Sequence, residues 1–145
     1  MAGVRRVTRS ILRYLYPLYV LLIVLQVYFA GEGIFGARDT DTPIEDAHQL
    51  ELHRGFGFFI AQPGALILLI LALLAWFQPT RLRVLSIVFP ILLIVQSILP
   101  SASRWISALH PVNAFILLGM AVYLSWTFWR RGAPAAEEEP AVGTV

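Results

Sequence analysis

The segment Gly55–Phe77 reads GFGFFIAQPGALILLILALLAWF and carries no charged side chain. A helix of about 20 apolar residues crosses the hydrocarbon layer of a bilayer. Comparable apolar segments recur, so the sequence predicts four spanning helices at residues 14–30, 53–77, 83–100 and 109–129. None of them alternates like a barrel strand, and a helix satisfies its own backbone amides in lipid. We therefore expect an all-α integral membrane four-helix bundle.

The overall composition supports this class. Of the 145 residues, 58% are hydrophobic and only 14% are charged, as in membrane proteins. Residues 1–131 form the expected transmembrane domain, and residues 132–145, rich in alanine, proline and glutamate, form an expected disordered cytoplasmic tail. Cysteine is absent, which excludes disulfides, iron–sulfur clusters and thiol catalysis.

The arginines predict the orientation in the membrane, because the chain has no lysine. Eight of the eleven arginines lie before the first span, between the second and third spans, or after the fourth. Basic residues favour the cytoplasmic side. Both termini are therefore expected in the cytoplasm, with residues 31–52 and 101–108 outside. In the first of these connections, residues 31–36 are expected to form an irregular turn.

The second and fourth segments begin with the same Leu-His pair, Leu52-His53 and Leu109-His110. The preceding segments also match, since residues 21–26 and 92–96 are both rich in leucine and end in glutamine. The chain is thus interpreted as two related helical hairpins, each ending in one histidine. If the hairpins are related by an axis along the membrane normal, His53 and His110 lie at the same depth and can face each other.

Two facing neutral imidazoles suit the axial positions of one b-type haem. Gly57 and Ala114, one turn below the histidines, would leave a groove for the macrocycle. Arg54 and Arg104 are candidates to pair with the haem propionates. Zinc is a weaker alternative, because a third ligand would have to come from His48 or a loop carboxylate.

The segments Glu51-Leu-His-Arg54 and Ala108-Leu-His110 resemble the histidine motifs of one four-helix half of the haem A synthases. The glutamines near the outer ends of the odd spans are also similar, and the likeness covers roughly residues 21–124. It implies that His53 and His110 ligate haem at the outer side of the membrane. The family has a glutamate three residues before the histidine of its reactive half, whereas Leu50 stands here. The resemblance therefore implies haem binding and does not extend to oxygenase chemistry.

The chain also resembles small uncharacterised four-span bacterial membrane proteins, which supports the architecture. Three functions remain open at this point. The first is haem binding for electron transfer or haem handling. The second is a cofactor-free protein that stabilises or regulates a membrane partner or forms a homo-oligomer, with the histidines making interhelical hydrogen bonds. The third, a small transporter, is disfavoured because the apolar stretches 14–30, 55–77, 84–99 and 109–129 within the four spans contain no charged side chain. No sequence feature indicates a catalytic residue or a nucleic-acid partner.

The arginine distribution generates a testable topology. Reporter fusions after Gly132 and within residues 78–83 should report a cytoplasmic location, and fusions within residues 36–41 should report an external one. An external location for a fusion after Gly132 would show that the orientation is the opposite one and that both histidines lie at the cytoplasmic face.

Overall fold

Four long helical segments make up most of the chain. A computed structural model describes residues 2–40, 43, 48–76 and 79–130. Four helical segments in this part are long and apolar enough to cross a membrane: Gly3–Asp39, His48–Ala75, Thr80–Ser101 and Arg104–Arg130. The expected all-helical class with four apolar helices is confirmed there, and these helices pack against one another. The tail at 132–145 lies beyond the described residues.

The helices follow in chain order as α1 (Ala2–Asp39), α2 (Glu51–Ala61), α3 (Pro63–Ala75), α4 (Thr80–Ile98), α5 (Arg104–Ser107) and α6 (Leu109–Arg130). Single 3₁₀ turns occur at His48–Leu50 and Leu99–Ser101. The start of α1, the end of α3, the start of α4 and the end of α6 lie together, and we call this the arginine end. The opposite end, with both 3₁₀ turns and the start of α6, is the histidine end.

Each long helix turns a narrow stripe toward its neighbours. The buried positions recur at spacings of three and four residues: Leu12, Tyr16, Tyr19 and Ile23 on α1; Ala65, Leu68, Ala72 and Ala75 on α3; Leu82, Ser86, Phe89 and Leu93 on α4; and Asn113, Leu117, Ala121, Leu124 and Phe128 on α6. This spacing is typical of helices that cross at a shallow angle in four-helix bundles. The alanines allow the close helix approach that membrane bundles use.

Arginine side chains at the arginine end lie on aromatic rings. The guanidinium carbons stand 4.6 Å from the ring centre for Arg13 on Trp129, 4.4 Å for Arg83 on Trp76, 4.0 Å for Arg130 on Trp126 and 5.6 Å for Arg81 on Tyr123. Arg9 also donates to the Ala75 and Trp76 carbonyls, both at 3.1 Å, at the end of α3. Cations and amphipathic rings together are characteristic of a membrane interface.

Helix α1 continues well past the predicted span. Residues 31–36, expected to form an irregular turn, are helical up to Asp39, so that expectation was wrong. The glycines there serve packing instead, because a Cβ at Gly33 would lie 2.6 Å from the Leu50 side chain and one at Gly36 would lie 3.0 Å from Gln49. The absence of side chains lets the 3₁₀ turn His48–Leu50 pack directly on α1.

The second span is broken between α2 and α3 at Gln62. Pro63 has no amide hydrogen to continue the ladder and begins α3 at its first position, where that loss costs least. The Tyr19 hydroxyl donates to the Ile60 carbonyl at 3.2 Å, so a neighbouring helix supplies a donor at the break. The same hydroxyl stands where a Cβ of Gly64 would be. The break therefore depends on a glycine and a tyrosine that fit each other.

Gly64→Ala should lower the free energy of unfolding by about 1–3 kcal/mol, because its methyl group displaces the Tyr19 hydroxyl. Gly64→Ala made in a Tyr19→Phe background should cost much less, since the colliding oxygen is gone. Thermal unfolding of the purified variants in detergent measures both effects. Gly55→Ala is the matched control, because a Cβ there meets no atom within 4 Å. Equal effects of Gly64→Ala in the two backgrounds would contradict this account of the break.

Candidate functional site

At the histidine end, α1 and α2 are joined by two reciprocal hydrogen bonds. The Gln26 side-chain amide donates to the His53 carbonyl oxygen at 2.7 Å. In return, His53 Nδ1 donates to the Gln26 carbonyl oxygen at 3.1 Å. The glutamine and the histidine therefore each use one side-chain group and one backbone group. This arrangement fixes the depth of His53 relative to α1.

The same two bonds recur between α4 and α6. The Gln96 amide donates to the His110 carbonyl oxygen at 3.1 Å, and His110 Nδ1 donates to the Gln96 carbonyl oxygen at 3.1 Å. The two imidazoles meet in the bundle, with ring centres 6.3 Å apart and ring planes at 78°. Both side chains are partly buried. The structure thus brings together the two histidines that the sequence singled out.

The hydrogen bonds define the tautomer of each histidine. A backbone carbonyl only accepts, so Nδ1 must carry the proton in both rings. In neutral rings Nε2 then has a free lone pair, which is the form that binds metals. For His110 a second contact agrees, because the Gln96 amide nitrogen lies 3.3 Å from Nε2 and is a donor only.

Asn113 orients the glutamine of the second hairpin. Its side-chain nitrogen donates to the Leu92 carbonyl at 3.1 Å and to Gln96 Oε1 at 2.7 Å. Because Gln96 Oε1 accepts this bond, the other end of the amide is the donor that faces His110. A backbone carbonyl of α4 therefore determines the orientation of Asn113, then Gln96, and finally the proton position on His110.

The first hairpin has no counterpart to Asn113. Phe56 lies three residues after His53, as Asn113 lies three residues after His110. Its ring packs edge-on against the Phe29 ring, with ring centres 5.4 Å apart. Gln26 Oε1 is buried and accepts no hydrogen bond from the described residues. His53 Nε2 also has no hydrogen-bond partner in the described part of the chain, unlike His110 Nε2. The two sides of the site are alike in position but differ in how firmly they are held.

The other predicted residues have varied surroundings. Gly57 does not border an open groove, because a Cβ at this position would collide with the Gln26 amide. Its small size makes room for the Gln26 side chain, so a macrocycle in this space would require that side chain to move. Ala114 is partly buried beside Asn113. Arg54 and Arg104 are exposed at the histidine end.

Among the described residues, no third zinc ligand joins the histidine pair. His48 bonds Glu51 at 2.8 Å, and both side chains are exposed. Across residues 2–40, 43, 48–76 and 79–130, no three histidine, aspartate or glutamate side chains come together in a way that would hold a metal ion. The pair supplies two ligands, whereas protein zinc sites use three or four.

No protein-family model matches the chain, and no curated protein or solved structure matches it significantly. Its function is therefore argued from the residues of the site.

Sequence reasoning identified both histidines but missed how they are held. Interhelical hydrogen bonds from the histidines were expected for the cofactor-free alternative, but their glutamine partners and the role of Asn113 were not predicted. The spacing contained a usable signal, since Asn113 lies one helical turn after His110 and Asn and Gln are the strongly polar residues of these segments.

Asn113→Leu should lower the free energy of unfolding by about 1–2 kcal/mol, because Gln96 Oε1 loses its donor in an apolar environment. Val112→Leu is the matched control, since Val112 is exposed on the same turn of α6. Thermal unfolding in detergent compares the two variants. Equal stability of the two variants would show that Asn113 does not hold Gln96.

Proposed function

We propose that the chain binds one b-type haem through His53 and His110 and acts in membrane electron transfer or haem handling. One observation carries the proposal. Two imidazoles from different hairpins meet with their ring centres 6.3 Å apart, each with Nδ1 bonded to a backbone carbonyl. This leaves both Nε2 atoms as possible ligands.

The ring separation is compatible with a shared metal centre as well as with direct ring packing, which brings ring centres to about 4.5–7 Å. Imidazole nitrogens bind metal ions at about 2 Å and lie about 1.2 Å from their own ring centres, so two imidazoles on opposite sides of one metal have centres about 6.4 Å apart. The 6.3 Å between His53 and His110 agrees with this value. Perpendicular and parallel ring planes both satisfy this distance, so the 78° angle is compatible with it.

The residues around the pair have defined tasks in this proposal. The Gln26 and Gln96 carbonyls keep the protons on Nδ1 and orient the rings. The Gln96 amide, 3.3 Å from His110 Nε2, would have to turn away for that nitrogen to hold the iron. Arg54 and Arg104 are candidates for the propionates. The haem itself, when bound, supplies a one-electron redox couple whose potential depends on axial ligands and burial.

The matched bonds of Gln26 with His53 and of Gln96 with His110 support the proposal that the chain consists of two related hairpins. We also propose that the protein lies in the cell membrane with both termini in the cytoplasm. The aromatic–arginine layer at the arginine end supports this orientation, because basic residues are retained on the cytoplasmic side. Both histidines would then lie near the outer face.

A second candidate function is a cofactor-free membrane protein that stabilises or regulates a partner. The same hydrogen bonds favour it, since each histidine already joins two helices and needs no metal to do so. In that case the imidazoles have a structural role only, and their loss affects stability without any spectroscopic signature.

His53→Ala and His110→Ala should each abolish low-spin haem absorbance, or convert it to high-spin absorbance, in protein produced with ample haem. Each variant removes one of two axial ligands. Optical spectra of the oxidised and dithionite-reduced proteins measure the change. His48→Ala is the control, because that histidine bonds Glu51 at the surface, and its spectrum should match the native one.

A colourless native protein with intact folding would reject the haem proposal and favour the cofactor-free candidate. Equal spectra of native protein, His53→Ala and His110→Ala would show that haem binds somewhere other than the histidine pair.

A further inference from the structure

A groove of about 310 Å³ lies between α4 and α6 on the outside of the bundle. Leu85 from α4 and Ile116, Gly119 and Met120 from α6 form its apolar walls. It is open at Gly119 because this residue has no side chain and a Cβ there would meet no atom within 4 Å. The side chains of Ile116 and Tyr123 are 49% and 40% exposed, so the groove is open on the outer surface of the bundle.

One end of the groove is positively charged. Arg81 and Tyr123 line it there, with the guanidinium 5.6 Å from the ring centre. No carboxylate of the described residues forms an ion pair with Arg81. From Tyr123 to Ile116 the groove runs about 10 Å along α6, at about 1.5 Å of rise per residue. The groove thus has a cation at the arginine end, and its apolar part extends from there toward the bilayer centre.

We propose that this groove binds one phospholipid with an anionic headgroup. Its phosphate lies at Arg81, and one acyl chain lies over Gly119 toward Ile116. Charge complementarity favours an anionic headgroup over a zwitterionic one, and basic pockets between spanning helices bind anionic lipids in this way. The tyrosine ring holds the guanidinium at the level of the headgroups. A second groove, lined by residues of α1 and α6, has no charged residue in its own lining, although Arg13 and Arg130 lie on two of its rings, Trp129 and Trp126. A lipid bound there should not respond to a change at Arg81.

Native mass spectrometry of the full chain tests the proposal. The protein is released from detergent micelles that contain equal amounts of phosphatidylglycerol and phosphatidylcholine with identical acyl chains. We expect one retained phosphatidylglycerol, preferred over phosphatidylcholine by roughly 5-fold, the effect expected of one arginine at a membrane surface. Arg81→Gln should reduce this preference to near unity. Gly119→Leu fills the groove and should lower retention of both lipids severalfold.

Two matched variants control for charge and size. Arg6→Gln removes one positive charge at the arginine end without touching the groove, and Gly31→Leu adds the same side chain at another glycine with open space beside it. Both should retain the native preference. Arg81→Lys keeps the positive charge and should retain most of the preference for phosphatidylglycerol. This variant separates loss of charge from misfolding.

Unchanged lipid preference in a folded Arg81→Gln protein would overturn the proposal. So would a lipid-free dimer that Gly119→Leu converts to a monomer, since the groove would then be a contact between copies. The proposal would also be overturned if the lipid preference appeared only in a chain truncated after Gly132. That result would indicate that the acidic run Glu137–Glu139 neutralises Arg81 in the full chain.

Discussion

Hydrogen bonds from histidine Nδ1 to a carbonyl on the neighbouring helix determine the geometry of the histidine end. In a bilayer no water is available to hydrogen-bond a buried polar group, so each imidazole needs a hydrogen-bond partner within the bundle. The Gln26 and Gln96 carbonyls provide that partner at 3.1 Å in both hairpins. The two helices are thereby held in register, and the rings come within 6.3 Å of each other. A one-residue slip of α2 or α6 would break both bonds of its hairpin.

The two halves of the site differ in the strength of their support. Asn113 orients Gln96, whose amide lies against His110 Nε2, whereas Phe56 leaves Gln26 Oε1 without a donor among the described residues. A ligand that reaches the pair meets an available Nε2 on His53 but has to displace an amide from His110. The Gln26–His53 side of the site is thus held by fewer side-chain hydrogen bonds among the described residues than the Gln96–His110 side.

The sequence predicted the number of spans, the helical class and the two histidines, because these depend on length, hydrophobicity and an evident repeated pair. It could not predict which face of each helix is buried. Lipid-facing positions are as apolar as the core, so Ala65, Ala72 and Ala121 are recognisable as packing positions only from the structure. The same difficulty explains Gly57, whose small size suits a cofactor groove and a neighbouring amide equally well in sequence. Residues 31–36 were misjudged because three glycines indicate a turn, while packing of Gln49 and Leu50 on α1 stabilises the helix there.

The aromatic core between the two ends separates their chemistry. Tyr16 packs at 5.0 Å from Phe128 and 6.1 Å from Phe89, and Tyr19 lies 5.7 Å from Phe89. Rings of this size leave little room for water between the polar cluster at the histidine end and the arginines opposite. A polar route for protons or hydrated ions along this part of the bundle would have to pass the Tyr16, Tyr19 and Ser86 hydroxyls, with no charged group among the buried described residues there, which argues against a transporter. An electron carrier needs no such route, since electrons cross packed side chains, and a purely structural protein needs none either. A packed aromatic centre with a polar cluster at one end and cationic residues at the other is thus compatible with both functions that remain.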